Sequence, residues 1–137
     1  MGTTGQPAMV YIPAGTYLLS KSLQLYVGTV LIGDALNMPS FRASASFSGD
    51  HIIYGKDPNL AGTLNFYIAI KNIIIDSTSI SPSSTITLLD WTVSQGTQLS
   101  NVVFNMPDYS QHVGLTTYYD YNSNTIMVCF VSWPIVI

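Results

Sequence analysis

The chain has 137 residues and no glutamate; its seven acidic residues are all aspartates, at positions 34, 50, 57, 76, 90, 108 and 120. Only Lys21, Arg42, Lys56 and Lys71 are basic, too few and too scattered for nucleic-acid binding or a polybasic membrane patch. The single cysteine, Cys129, excludes an internal disulfide, and no Cys/His spacing suits zinc, so neither a metal nor another cofactor is expected. Met1 leads into Gly2-Thr3-Thr4-Gly5-Gln6, which has neither the charged start nor the apolar core of a secretory signal. The apolar run from Ile126 to Ile137 is too short to cross about 30 Å of hydrocarbon as a helix. Asn-Gly and Asp-Gly, the favoured two-residue hairpin turns, do not occur, which disfavours strands paired as tight hairpins. Charged residues make up 8% of the chain, against about 25% in an average domain. Ser, Thr, Asn and Gly carry the polarity instead, a profile that suits a secreted β-rich protein.

What the chain does contain is a repeat. Ile70-Lys71-Asn72-Ile73-Ile74-Ile75-Asp76 recurs 29 residues later as Leu99-Ser100-Asn101-Val102-Val103-Phe104-Asn105. Each copy reads apolar, polar, Asn, three apolar residues, then Asp or Asn. The segments are short, β-branched and bounded by turn residues, which makes them strands. Strands recurring at such a period with no helix between them predict an all-β, right-handed, single-stranded parallel β-helix. Stacked rungs lie about 4.8 Å apart, so Ile73 should sit under Val102, Ile75 under Phe104, and Asn72 under Asn101 in an amide ladder. The competing reading is a chance likeness between two buried strands of a sandwich.

Around the repeat the chain reads as brief strands and corners. Met9–Ile12, Leu18-Leu19, Leu23–Leu25 and Thr29–Ile32 are expected strands, the second and third cut by Ser20–Ser22. Asn37 to Asp50 reads as a loop with a short strand at Phe41–Ala43, and Ile52–Tyr54 as a strand. Ser77 to Ser84 reads as an exposed connection, Ile86–Trp91 as a strand or wide turn, and Val113–Thr116 as the start of another rung. Ile74 and Val103 should point outward on adjacent rungs, from a face that another part of the protein covers.

Gly5-Gln6-Pro7-Ala8-Met9-Val10-Tyr11-Ile12-Pro13-Ala14-Gly15-Thr16-Tyr17, with Leu31-Ile32-Gly33-Asp34, resembles the pectate-lyase-like β-helix domain of glycoside hydrolase family 55. Asn72–Asp76 and Asp90–Asn101 look like later rungs of the same domain, and the likeness runs from Gly5 to Asn124. It implies a fragment of a secreted fungal exo-acting β-1,3-glucanase: residues 1–125 of the β-helix domain, then an aberrant apolar tail over residues 126–137. Val128-Cys129 can be encoded by GTATGT, a fungal intron-donor pattern, and the tail is expected to be a misread or truncated product. The family's opening strand and its second β-helix domain, which brings the Glu acid catalyst, are not matched. The resemblance therefore implies a chain that is extracellular in origin and inactive alone, with β-1,3-glucan and the second domain as partners; open coil ends and the apolar tail, which expose strand edges, make poor solubility the expectation. The alternatives are a non-catalytic carbohydrate-binding β-helix and a pectin-active lyase or hydrolase on the same scaffold.

An inverting glycosidase needs a carboxylic acid of raised pKa and a water activated on the opposite face of the sugar. By resemblance Gln95 and Ser123 hold that water, since an amide and a hydroxyl can fix its position; the bland reading of Gln95 is a corner residue paired with backbone. Tyr109, His112, Tyr118, Tyr119 and Tyr121, flanked by Asp108 and Asp120, form an aromatic loop able to line a glucan subsite or simply to pack on the surface. His112 has no nearby ligand partner, and a turn hydrogen bond suits it better than a metal. Asp76 and Asp90 follow strands, where carboxylates cap turn amides. Trp91 reads as core or interdomain packing ahead of a sugar platform.

Overall fold

The structure, a computed structural model, describes residues 6–117. Among these residues eight strands follow one another: β1 (Ala8–Ile12), β2 (Thr16–Gln24), β3 (Thr29–Gly33), β4 (Ser40–Tyr54), β5 (Ala69–Asp76), β6 (Thr87–Trp91), β7 (Gln98–Asn105) and β8 (Val113–Thr117). Every pairing between them is parallel, and a 3₁₀ turn, Gly62–Leu64, interrupts the β4–β5 connection.

The register sorts the strands into three faces. On the first, β1 pairs with β3, β3 with the start of β5, and that segment with the start of β7. On the second, the starts of β2 and β4 pair with each other, and the ends of β5 and β7 continue the stack. The end of β2, the end of β4, β6 and β8 make the third. Four coils of three faces each are a parallel β-helix, as the repeat predicted.

One apolar column runs up the inside of each face. Leu31, Ile70 and Leu99 stack on the first, Phe41, Ile75 and Phe104 on the second, and Leu23, Ile53, Leu89 and Leu115 on the third. Ile70, Ile73, Ile75, Ile53 and Leu89 are all fully buried, each worth about 1.5–3 kcal/mol relative to an exposed position. Trp91 is 1% exposed and belongs to this core. It packs on Gly55 so closely that a Cβ there would lie 2.6 Å from Trp91 Cε3.

The turn from first face to second is made inside β5 and β7 by a single residue each, Asn72 (φ 56°) and Asn101 (φ 54°). Asparagine tolerates this left-handed conformation better than other side chains with a Cβ. Ile73 pairs with Val102 and Ile75 with Phe104, as expected. Ile74 and Val103 are half-buried on the outside of the second face.

Three expectations need correction. Residues 37–50 are not mainly loop: β4 runs unbroken from Ser40 to Tyr54, and β2 likewise joins the two strands expected on either side of Ser20–Ser22. Leu19 pairs with Ala43 whereas Leu23 pairs with Ile53, so the longer stretch of β4 is absorbed in bulges between Leu19 and Leu23. Polar residues that look like breaks are corners that the strands round through these bulges, with Lys21 still paired to Ser48. Ser77, expected in an exposed connection, is fully buried.

Candidate functional site

Three loops carry the chain from the third face back to the first: residues 25–28, 55–68 and 92–97. They stack along one edge of the helix and are tied together by two fully buried polar residues, Asp57 and Asn65. The Val27 amide donates to Asp57 Oδ2 at 3.4 Å, and the Asn59 amide and side chain donate to Asp57 Oδ1 at 2.9 and 3.1 Å. Asn65 accepts the Asp57 amide on Oδ1 at 2.6 Å and donates to the Ala61 carbonyl at 2.9 Å. The Asn65 carbonyl in turn accepts the Ser94 amide at 2.9 Å. Buried polar groups persist only when paired in this way, and paired they stiffen the loops that hold them.

The uppermost loop presents Gln95. It is exposed, in a turn closed by the Thr97 hydroxyl donating to the Ser94 carbonyl at 2.9 Å and by Gly96 at φ 66°. Tyr67, from the loop below, lies against Gly96: a Cβ on Gly96 would sit 3.2 Å from two atoms of the Tyr67 ring. Tyr67 has φ 56°, is 50% exposed, and stands between Phe66 and the fully buried Ile68.

Tyr109 and His112 lie elsewhere, in the 106–112 loop between second and third faces. Tyr109 is fully exposed at φ 54°. His112 is buried, with Nδ1 2.8 Å from Ser77 Oγ and Nε2 3.0 Å from the Ser81 carbonyl. A carbonyl can only accept, so Nε2 carries a hydrogen. The structure thus places Gln95 at one corner of the coil and Tyr109 and His112 at another, with the third face between them. Ser123, Tyr118, Tyr119 and Tyr121 lie outside the described residues, as does the 126–137 tail.

The aspartates divide by environment. Asp76 Oδ1 accepts the Thr78 amide at 2.8 Å and hydroxyl at 2.6 Å, while Oδ2 takes Arg42 at 3.0 Å and Asn105 Nδ2 at 3.2 Å. Asp90 caps the Thr92 amide at 3.1 Å. Both therefore perform the turn-capping role. Burial by itself raises the Asp76 carboxyl, but Thr78 and Arg42 outweigh it and hold the group below its usual range. The Asn37 amide and the Tyr11 hydroxyl lower Asp34. Asp50 is lowered to about 2, chiefly by the Tyr54 hydroxyl and then by His51, whose Nδ1 lies 3.0 Å away. The same hydrogen bond pushes Tyr54 up to about 12. Each of these three displaced carboxyls moves toward ionisation, the opposite of what a proton donor to a glycosidic oxygen requires.

Sequence reasoning missed the Asp57–Asn65 tie and Tyr67. Asp57-Pro58 looks like an ordinary turn, and an aromatic residue gives no local sign of a left-handed backbone, which it normally avoids. Only the coil stacking brings Tyr67 against Gly96. Among the described residues no group of His, Cys and Asp side chains could hold a metal ion, and no helix is long and apolar enough to cross a membrane.

Comparison with known proteins agrees with this architecture. The chain is 45% identical over 97 residues to a protein named glucan endo-1,3-beta-glucosidase BGN13.1 from Trichoderma harzianum, covering 69% of this chain and 13% of that one. It is 35% identical over 118 residues to a glucan 1,3-beta-glucosidase of Cochliobolus carbonum, covering 81% of this chain and 15% of the relative. A protein named non-secreted LysM effector LysM19, from Penicillium expansum, is 34% identical over 110 residues, 76% of this chain and 9% of its own length. The chain thus spans a small part of each relative, and the two glucosidase names agree with the resemblance to glycoside hydrolase family 55. The model of the family described as rhamnogalacturonase A/epimerase, pectate lyase-like, matches residues 1–131, and with its parallel coils and asparagine corners the chain belongs to that family.

Proposed function

We propose that this chain is the β-helix part of a fungal, extracellular β-1,3-glucan hydrolase that acts from chain ends with inversion, and that it supplies substrate contacts and water positioning but not the proton donor. The observation that carries the β-1,3-glucan hydrolase reading is the 45% identity to a named glucan endo-1,3-beta-glucosidase over 69% of the chain; action from chain ends, with inversion, rests on the resemblance to glycoside hydrolase family 55. The geometry fits the division of labour. Gln95 stands exposed on a stiffened corner, where a neutral amide can orient a water without competing for its proton. The displaced carboxyls, Asp34, Asp50 and Asp76, are all biased toward the ionised form, so none has the raised pKa of a general acid. Ser123 is the proposed hydroxyl partner of Gln95 on that water, and Tyr109, His112, Tyr118, Tyr119 and Tyr121 are a proposed glucan subsite.

The test is to incubate the chain with insoluble β-1,3-glucan and measure both retention and reducing sugar. Retention without glucose release is the expected result. Release of glucose overturns the claim that the acid lies in another domain, and failure to be retained overturns the glucan reading. A second reading, a carbohydrate-binding β-helix with no catalytic role in any context, is kept because one relative is named an effector and not a hydrolase. Joining this chain to the remainder of a glucosidase relative separates the two: hydrolysis that Gln95→Ala abolishes supports the enzyme.

A further inference from the structure

The corner that carries Gln95 also holds a bulky residue in a conformation it should avoid. Tyr67 has φ 56°. In the left-handed region Cβ crowds the carbonyl, and only glycine, with asparagine and aspartate, goes there cheaply. Asn72 and Asn101 use that tolerance to turn the coil. At position 67 a glycine would turn the chain at lower cost, yet the side chain present is a tyrosine with half its surface in water. Strain of this kind persists where the surroundings enforce it, and it collects at ligand contacts.

The surroundings here are specific. Ile68, next in the chain, is fully buried, and Asn65, two residues before, is fixed by the Asp57 network. Pinned on both sides, the backbone turns the Tyr67 ring outward. Gly96 then supports the ring from the loop above, and any larger residue there would meet it within 3.2 Å. Phe66 braces it from the side, ring centroids 6.2 Å apart and planes 46° tilted. The ring is therefore rigid, exposed, and one residue away from Gln95 through Gly96.

We propose that Tyr67 is a pyranose-stacking residue that binds a glucosyl unit of β-1,3-glucan beside Gln95. A flat aromatic face pairs with the apolar C–H face of an equatorially substituted sugar, and a ring already fixed in place loses little entropy on binding. The inference rests on the glucan reading for the identity of the sugar; the placement of the platform rests on Tyr67, Gly96 and Asn65 alone. Tyr109 shares the left-handed backbone and the exposure, but its corner does not carry Gln95.

The experiment titrates a soluble β-1,3-gluco-oligosaccharide into the chain and into Tyr67→Gly and Tyr67→Phe, with melting temperature measured on each. Tyr67→Gly is expected to melt no lower than the parent, because glycine relieves the backbone, and to bind about five- to tenfold more weakly. Tyr67→Phe keeps the ring and should bind within about twofold of the parent. Undiminished binding by a folded Tyr67→Gly overturns the platform while leaving the glucan reading intact. A parent chain that binds no β-1,3-gluco-oligosaccharide overturns both, and equal affinity for an α-1,4-linked counterpart overturns the assignment of substrate class.

Discussion

Asn101 donates its side-chain amide to the side-chain oxygen of Asn72, 29 residues earlier, across 3.0 Å. Asn72 donates its own to the Gly33 carbonyl at 3.3 Å, so one hydrogen-bonded line rises through three coils at the corner between first and second faces. The residues that bend the chain are also the ones that bond each bend to the next.

Asn72→Ala removes the ladder and leaves a Cβ residue at φ 56° without local compensation. It should lower unfolding free energy by about 2–3 kcal/mol. Asn72→Gly keeps the backbone and loses only the bonds, so it should cost about 1 kcal/mol. Urea unfolding of the two variants checks the ranking.

Gly33→Ala should be worse than either. An added Cβ would lie 2.0 Å from the Asn72 carbonyl oxygen and 2.7 Å from the Pro39 ring, so backbone must move. The expected loss is about 3 kcal/mol or more, read by the same unfolding curves together with the tilt of the ladder in a crystal structure.

Asp76 links stability to pH. Its carboxyl is held below the usual range in the folded chain, so the stability it contributes is present above the unfolded value, near about 4, and disappears as pH falls through the folded value. Asp76→Asn should cost about 1–2 kcal/mol at pH 7 and lose less further stability than the parent on acidification. Melting temperatures at pH 7 and at pH 2.5 (about the range that matters) measure the difference.

At the first coil, β1 and β2 each pair on one side only among the described residues, and Met9 and Leu18 there are 69% and 68% exposed. An open edge with apolar side chains recruits other strands. Replacing Met9 and Leu18 by lysine should reduce light scattering of concentrated chain with a change in unfolding free energy of no more than about 0.5 kcal/mol.

How much of this was legible beforehand follows from what a strand sequence records. The repeat names the residues that stack, because vertical register demands apolar above apolar and Asn above Asn, and the Ile73–Val102 and Ile75–Phe104 pairs come directly from it. The capping carboxylates Asp76 and Asp90 were legible too, since an Asp after a strand has few other tasks.

The sequence by itself determined the fold class, the inward pairs Ile73–Val102 and Ile75–Phe104, and the stacking of Asn72 under Asn101, all of which depend on local order and a constant period. The tertiary structure alone decided that β2 and β4 round their corners without a break, that Gln95 and His112 occupy different edges, and that Tyr67 rests on Gly96 beside Gln95. Those relations join residues from coils of unequal length. The number of residues taken up by a bulge or a loop leaves no mark in the side-chain pattern, so proximity across a corner appears only once the coils are stacked.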